Sequence, residues 1–89
     1  MKLEYKDEEV KVCLDWIKSE TKPRKTFNRN IGSYGLKHVV ERWSRKDGKY
    51  GRYIHEHSLI KAMEVAGFNS SRFNPNRFSC NFNVSFKHS

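Results

Sequence analysis

The side chains best suited to chemistry in this sequence are its histidines and cysteines. His55-Glu56-His57 places two imidazoles two positions apart, and on a strand, where residues i and i+2 share a face, the pair could chelate a metal. On a helix the two would point apart. Cys13 and Cys80 both fall on apolar stripes, where a free cysteine usually packs as a small hydrophobe. Because no Cys-x₂-Cys or His-x₃-His spacing accompanies them, we expect no metal and no cofactor.

Catalysis would need a base beside its nucleophile, or a pair of carboxylates. Only four acidic residues follow position 20, and they are too widely spaced for a two-carboxylate site. His38 and His57 could act as acid–base groups of a small nuclease or hydrolase, although surface and capping histidines are commoner. We therefore predict a protein that is not an enzyme.

Positive charge is distributed unevenly along the 89 residues, whose formal net charge is +8. The first 20 residues hold four lysines against six acidic residues, a net charge of −2. The rest holds 14 basic against four acidic residues, a net charge of +10. Because fixed positive charge releases counterions from nucleic acid on binding, the asymmetry favours a polyanionic partner. The alternative is that the charge serves only solubility.

The basic residues form two clusters, one in a linker at 21–30 and one at and beyond the end of the second predicted helix. Aromatic residues such as Tyr34 and Tyr53 are interleaved with them, as in a surface that combines phosphate contacts with base stacking. Some of the cations could instead only complement a helix dipole. The predicted partner-binding residues in the clusters are Lys22, Arg24, Lys25, Arg29, Arg42, Arg45, Lys46, Lys49 and Arg52.

The stretch SYGLKH, which opens the second predicted helix, is a further candidate contact for phosphate. The first N–H groups of a helix bind anions, and glycine permits a ligand to approach closely. The residues predicted to position the nucleic-acid backbone here are Ser33, Tyr34, Gly35 and Lys37, and His38 is a further predicted contact with the partner. The alternative is an ordinary helix start, in which the Ser33 hydroxyl accepts from a first-turn N–H.

Three amphipathic helices must hold these residues in place. The spacing i, i+3, i+4, i+7 is typical of a half-buried helix. It occurs at Val10, Cys13, Leu14 and Ile17 and again at Leu36, Val39, Val40 and Trp43. Trp16 flanks the first stripe, and Lys37 and Glu41 lie off the second. The pattern predicts helices over 7–20, 33–45 and 56–66.

Other residues mark the ends of helices and a strand. Asp7 is the expected N-cap of the first helix, and Gly67 followed by Phe68 the expected end of the third. Residues 78–86 alternate strictly between apolar and polar, which predicts a strand with one buried face. A lone strand is unstable, so it needs a partner; the candidates are Tyr50–Ile54 and Lys2–Tyr5.

The chain, 1–89, is expected to form one α+β domain, a compact three-helix unit with a small antiparallel sheet. Its element order loosely resembles a winged helix-turn-helix. Two cysteines do not make a disulfide framework, and neither a signal peptide nor a membrane span is visible. We therefore expect a cytoplasmic protein with reduced thiols.

Three strings, SYGLKHVVER, YIHEHSLIKAMEVAGF and NFNVS, together resemble a group of small uncharacterised proteins of phages and mobile elements of Gram-positive bacteria, which share a Ser-Tyr-Gly-Leu-Lys-His motif. The likeness covers residues 24–86, with a longer insert, SRKDGKYGR, than the group has. The resemblance implies a bacterial host cell. It also implies either a DNA-binding accessory role or an anti-defence role, such as that of an anti-CRISPR protein.

Charge and resemblance together predict a small nucleic-acid-binding accessory protein that acts without catalysis and without a membrane. They do not distinguish DNA from RNA, and they do not predict the oligomeric state. The alternative is an anti-defence inhibitor that binds a host nuclease or its RNA-loaded complex.

Overall fold

The computed structural model describes residues 5–46, 53–71 and 79–87. Within these ranges the chain forms three α-helices and four short strands, paired as two antiparallel two-stranded sheets. The predicted α+β class is therefore confirmed, whereas the likeness to a winged helix stays a prediction. In chain order the elements are α1 (Asp7–Glu20), β1 (Thr21–Pro23), α2 (Ser33–Lys46), α3 (Glu56–Val65), β2 (Ser70–Ser71), β3 (Asn81–Phe82) and β4 (Val84–Phe86).

The helices begin and end close to the predicted positions. The N-cap of α1 is Lys6 rather than Asp7, so Asp7 lies in the first turn together with two glutamates. Negative charge there suits the positive end of the helix dipole. α2 continues one residue beyond the predicted end, and α3 stops one residue before it.

The apolar core lies where the three helices and the strands meet. Leu36 and Val40 of α2 are fully buried, whereas Val39 and Trp43 are half-buried at its border. Trp16, which only flanks the predicted α1 stripe, is 1% exposed. The phenylalanine ring of β4 packs against it, and this long-range contact explains the deeper burial.

The predicted strand at 78–86 is interrupted at Asn83, and its two parts have different partners. β4 pairs with β1, with Phe86 opposite Thr21, and β3 pairs with β2. At the break, the Asn83 N–H donates to the Asn69 carbonyl at 3.3 Å, and its Oδ1 accepts from the Asn69 N–H at 2.7 Å. The amide side chain thus replaces a regular ladder bond.

Neither predicted partner segment pairs with this strand in its described residues, so that prediction is wrong there. Tyr5 precedes α1, and Tyr53 and Ile54 belong to no strand. The Ile54 N–H donates to the Glu41 carboxylate at 2.8 Å, which removes it from any sheet. The rest of both segments, and Phe78, lie outside the described residues.

The predicted basic linker runs antiparallel beside β3 and β4. Beyond β1, the Asn28 N–H donates to the Phe82 carbonyl at 2.9 Å, and its Nδ2 donates to the Val84 carbonyl at 3.0 Å. The Ser33 N–H then donates to the Cys80 carbonyl at 2.7 Å. The segment is therefore held along its length by hydrogen bonds to the two strands.

The end of α3 confirms the predicted glycine stop. Gly67 has a φ of 91°. Its N–H donates to the Glu64 carbonyl and the Phe68 N–H donates to the Met63 carbonyl, each at 3.0 Å. These two bonds form a Schellman motif, and Phe68 packs back against the core.

We expect Gly67→Ala to lower the free energy of unfolding by about 1–2 kcal/mol, because a Cβ at positive φ lies too close to the backbone carbonyl. Apart from its two chain neighbours, no described residue has an atom within 4 Å of that Cβ position, so the loss reports backbone strain and not crowding. Gly67→Asn should lose less, since asparagine tolerates this region. Urea denaturation measures both variants, and equal losses would contradict the explanation.

Candidate nucleic-acid interface

The four predicted cations of the linker are exposed, on β1 and on the segment that follows it. Lys22 lies opposite Ser85 in the pairing of β1 with β4. Backbone hydrogen bonds fix the path of this segment, so its cations are held on a defined surface. Charge on an edge strand also prevents pairing with other chains, so exposure alone does not assign a ligand. The four residues are Lys22, Arg24, Lys25 and Arg29.

The second basic cluster lies on the last turns of α2, beside an open groove. Arg42, Arg45 and Lys46 are exposed there. Arg42 and Lys46 also form part of the wall of the groove, whose volume is about 370 Å³. We call it the aromatic groove, and its lining residues are Trp16, Glu20, Val39, Arg42, Trp43, Lys46 and Phe86.

Three elements build the aromatic groove. Val39 and Trp43 lie one turn apart on α2 and form its apolar wall. Trp16 of α1 is almost fully buried and forms the floor. The half-buried Phe86 of β4 packs on Trp16, with ring centroids 6.2 Å apart and planes inclined by 60°. Glu20, at the end of α1, contributes a carboxylate to the lining.

Phe86 also joins the groove to the strand that opens the basic linker. It lines the groove with Arg42 and Lys46, and its backbone pairs with Thr21, which precedes Lys22. Lys22 and Arg42, the first residues of the two clusters, are 20 positions apart in the sequence, and the pairing of β1 with β4 places the start of the linker beside the strand that carries Phe86. The remaining predicted residues of the second cluster, at 49 and 52, lie outside the described residues.

Ser33 and Gly35 do not form the predicted phosphate cradle. Ser33 is fully buried. Its hydroxyl donates to Glu56 Oε2 at 2.5 Å and accepts from the Cys80 N–H at 3.0 Å, so it joins α2 to α3 and to the segment before β3. A Cβ added at Gly35 would lie 2.7 Å from Ile31 Cγ1. The protein itself fills the space that the prediction gave to a phosphate.

The structure also corrects the prediction for Lys37, which placed this side chain off the apolar stripe and in contact with phosphate. It is 1% exposed. Its Nζ lies 3.3 Å from Glu41 Oε2 and 3.8 Å from the centroid of the Tyr53 ring. Burial raises the pKa of Glu41. The hydrogen bond from the Ile54 N–H and the charge of Lys37 lower it by more, so the net pKa lies below the ordinary 4.5. The two side chains therefore form a buried ion pair at neutral pH.

Tyr34 and His38 are the two side chains of the SYGLKH stretch that reach solvent. Tyr34 is 58% exposed, and its ring meets that of His38 edge-on with centroids 4.6 Å apart. His38 Nδ1 lies 3.0 Å from Glu41 Oε1. Both remain candidates for contact with a partner.

The histidine pair and Cys13 lie in positions fixed by contacts within the protein. His55 is the N-cap of α3 and His57 lies within that helix, so they do not share a strand face. Glu9 accepts from the His55 N–H at 2.9 Å. Burial and the charge of Glu9 raise the pKa of Cys13 to about 12, so its thiol is protonated at neutral pH. In the parts of the chain that the structure describes, no three His, Cys, Asp or Glu residues are grouped to hold a metal.

A second cleft, of about 260 Å³, opens between α2 and the start of α3. Two of its charged groups already have partners within the protein: Glu56 accepts from the Ser33 and Ser79 hydroxyls at 2.5 and 2.6 Å, and Lys37 pairs with Glu41. The residues around it are Tyr34, Lys37, Tyr53, His55, Glu56 and His57.

No helix in the described ranges is long and apolar enough to cross a membrane. No model of a known protein family matches the chain. Comparisons with curated proteins and with solved structures find no match either.

Proposed function

We propose that this chain is a non-enzymatic nucleic-acid-binding protein, an accessory protein of a phage or mobile element that acts in the cytoplasm of a bacterial host. The observation that carries the proposal is the position of Phe86. It lines the aromatic groove beside Arg42 and Lys46. Its strand partner, Thr21, leads directly into the basic linker. One cationic cluster therefore borders the ring-lined groove, and the other begins one residue beyond the strand partner of Phe86.

The chemistry of this surface suits a polyanion. The exposed cations are mostly arginines on fixed backbone, which suit hydrogen bonding to phosphate oxygens. Each phosphate that they neutralise releases counterions, so affinity falls as salt rises. The acidic α1 does not share this property, because its first turn holds three carboxylates.

The triple variant Arg42→Ala, Arg45→Ala, Lys46→Ala tests the proposal. We expect the wild-type protein to bind duplex and single-stranded oligonucleotides at low salt, with an affinity that falls linearly on a log–log plot. The triple variant should bind more weakly and show a slope smaller by about 2–3, since each lost phosphate contact removes about 0.7–0.9. Fluorescence anisotropy across a salt series measures both quantities.

A matched control removes the same charge from the opposite half of the sequence. Lys6, Lys11 and Lys18 are exposed on or beside α1, and their triple alanine variant should keep the wild-type slope. An equal decrease of the salt slope in both triple variants would mean that binding depends on the net charge of the protein and not on the position of its cations. Wild-type protein that fails to bind at low salt, or binds without salt dependence, would overturn the proposal.

The predicted alternative, an anti-defence inhibitor of a host nuclease, has a different signature. A pull-down from host lysate after complete digestion of nucleic acid would then retain one host protein. If that result came together with an absence of oligonucleotide binding, the proposed partner would be a host protein and not a nucleic acid.

A further inference from the structure

The aromatic groove differs from the rest of the cationic surface because rings line it. Trp16 is 1% exposed and forms the floor, and Phe86 packs on it at 6.2 Å between centroids. Trp43 is half-buried, whereas Leu36 and Val40 of the same helix are fully buried. Trp43 therefore lies at the border between core and solvent, where a ligand can reach it.

The charges around the groove select what fits inside. Arg42 and Lys46 lie on the α2 side, and Glu20 lies at the end of α1. A phosphate inside the groove would come near the Glu20 carboxylate and would leave water for an apolar lining, both of which cost free energy. A ligand avoids both costs if an uncharged planar group enters the groove and an anion joined to that group lies over the α2 side.

An unpaired nucleotide has this chemistry. We propose that the aromatic groove takes an unpaired base of a single-stranded nucleic acid, with the base stacked on Trp43 and its flanking phosphates on Arg42 and Lys46. The inference rests on the proposed function and adds to it the strandedness of the ligand. The volume of about 370 Å³ is in the range of small-ligand pockets, roughly 300–1,000 Å³.

Duplex bases cannot enter the groove without leaving their stack, which costs free energy. The basic clusters can contact the phosphates of either form, but the stacking contact is open only to a single strand. The protein should therefore bind single strands more tightly than a duplex of equal length and at equal salt. Because every base has an aromatic face, DNA and RNA share this chemistry.

Trp43→Ala is the decisive variant. We expect it to weaken binding of oligo-dT and oligo-rU by about 5- to 140-fold, the effect of losing one stacked base, with duplex affinity unchanged within about twofold. The two single strands show whether the groove prefers DNA or RNA. Trp43→Leu keeps an apolar side chain without the stacking surface and should weaken binding by a similar factor. Circular dichroism and thermal unfolding verify that each variant is folded.

The control is Val65→Ala, which removes apolar surface from a 58% exposed position on α3, away from the groove. It should bind like the wild type. If the wild type shows salt-dependent binding but no preference for single strands, and Trp43→Ala binds as the wild type does, the base-stacking inference is overturned while the proposed function stands. Absence of all oligonucleotide binding overturns both.

A second measurement, tryptophan fluorescence, gives its main result with the wild-type protein alone. The chain has two tryptophans, and Trp16 is buried, so stacking should quench fluorescence chiefly from Trp43. We expect saturable quenching by oligo-dT but not by a duplex, and its near-complete loss in Trp43→Phe. Binding of oligo-dT without any quenching in the wild type would contradict a base on this ring.

Discussion

Glu41→Ala is expected to lower the free energy of unfolding by about 3–5 kcal/mol, the usual cost of breaking a buried ion pair. The Glu41 carboxylate accepts from Lys37 Nζ at 3.3 Å and from the Ile54 N–H at 2.8 Å. Lys37 is 1% exposed, so it cannot regain water when its partner is removed. The variant leaves a buried ammonium and a buried backbone donor, and each carries a desolvation penalty.

Adding Lys37→Met to Glu41→Ala separates these two penalties. Methionine keeps the apolar stem and removes the charge, so the double variant should recover much of the loss. What it does not recover reports the Ile54 N–H and the packing of the removed carboxylate. Urea denaturation of the wild type, both single variants and the double variant gives the coupling free energy between the two side chains.

Glu64→Ala is the matched control, because Glu64 is an exposed helical glutamate. It should change the free energy of unfolding by no more than about 0.5 kcal/mol. A loss below about 1 kcal/mol for Glu41→Ala would mean that the pair is hydrated and weak, as surface pairs are. In a folded Lys37→Met variant, nucleic-acid affinity and its salt dependence should be unchanged, since Lys37 does not belong to the exposed clusters.

Helices were predictable from the sequence because their information is local. Apolar residues at helical spacing gave bounds within one residue for all three. The glycine stop was predictable for the same reason, since Gly67 and Phe68 carry the whole signal for a Schellman motif. The N-cap was misplaced by one position, where several polar residues compete for the same role.

The strands were less predictable because their partners are distant in sequence. Strict alternation correctly indicated one buried face over β3 and β4, but it could not reveal the break at Asn83, which depends on hydrogen bonds to Asn69. The partner of β4 was predicted to be a linker, because Pro23 interrupts the helical pattern and several cations surround it. β1 is an edge strand, and an edge strand tolerates both a proline and exposed cations.

The interface was partly predictable. Exposure of the arginines and lysines followed from their types and from the α2 spacing, but the burial of Ser33 and Lys37 did not. The i, i+4 relation of Lys37 to Glu41 is visible in the sequence and usually indicates a surface pair. Here Tyr53 and Ile54, which precede α3, cover the pair. The roles of Trp16 and Phe86 in the groove were missed because no local pattern joins α1 to β4.

The buried glutamates also explain why the chain before α3 follows one path. Glu9 of α1 accepts from the His55 N–H at 2.9 Å and from the Ser58 hydroxyl at 2.8 Å. Glu41 of α2 accepts from the N–H of the preceding residue, Ile54. Two carboxylates on different helices thus bind consecutive backbone amides, and this segment holds α1, α2 and α3 together.

Acid should therefore destabilise this protein through Glu9 and Glu41. Burial raises the pKa of each carboxyl, but hydrogen bonds from backbone amides and neighbouring side chains lower it more, so both net pKa values lie below the ordinary 4.5. Since the unfolded chain then binds more protons than the folded one, the stabilisation is complete above pH 4.5 and is lost as pH falls below it. Urea denaturation at a series of pH values should show the free energy of unfolding decreasing steeply in this range.

Glu9→Gln tests whether this dependence comes from the buried carboxylates. The amide keeps an acceptor for the His55 N–H but cannot titrate, so the variant should be less stable at neutral pH and should lose less stability on acidification. Glu8→Gln, at the exposed neighbouring position in the same turn, should keep the wild-type pH profile. If both variants flattened the profile equally, the helix dipole would explain the pH dependence. If only Glu9→Gln did so, proton uptake by a carboxylate that binds α1 to the start of α3 would explain it.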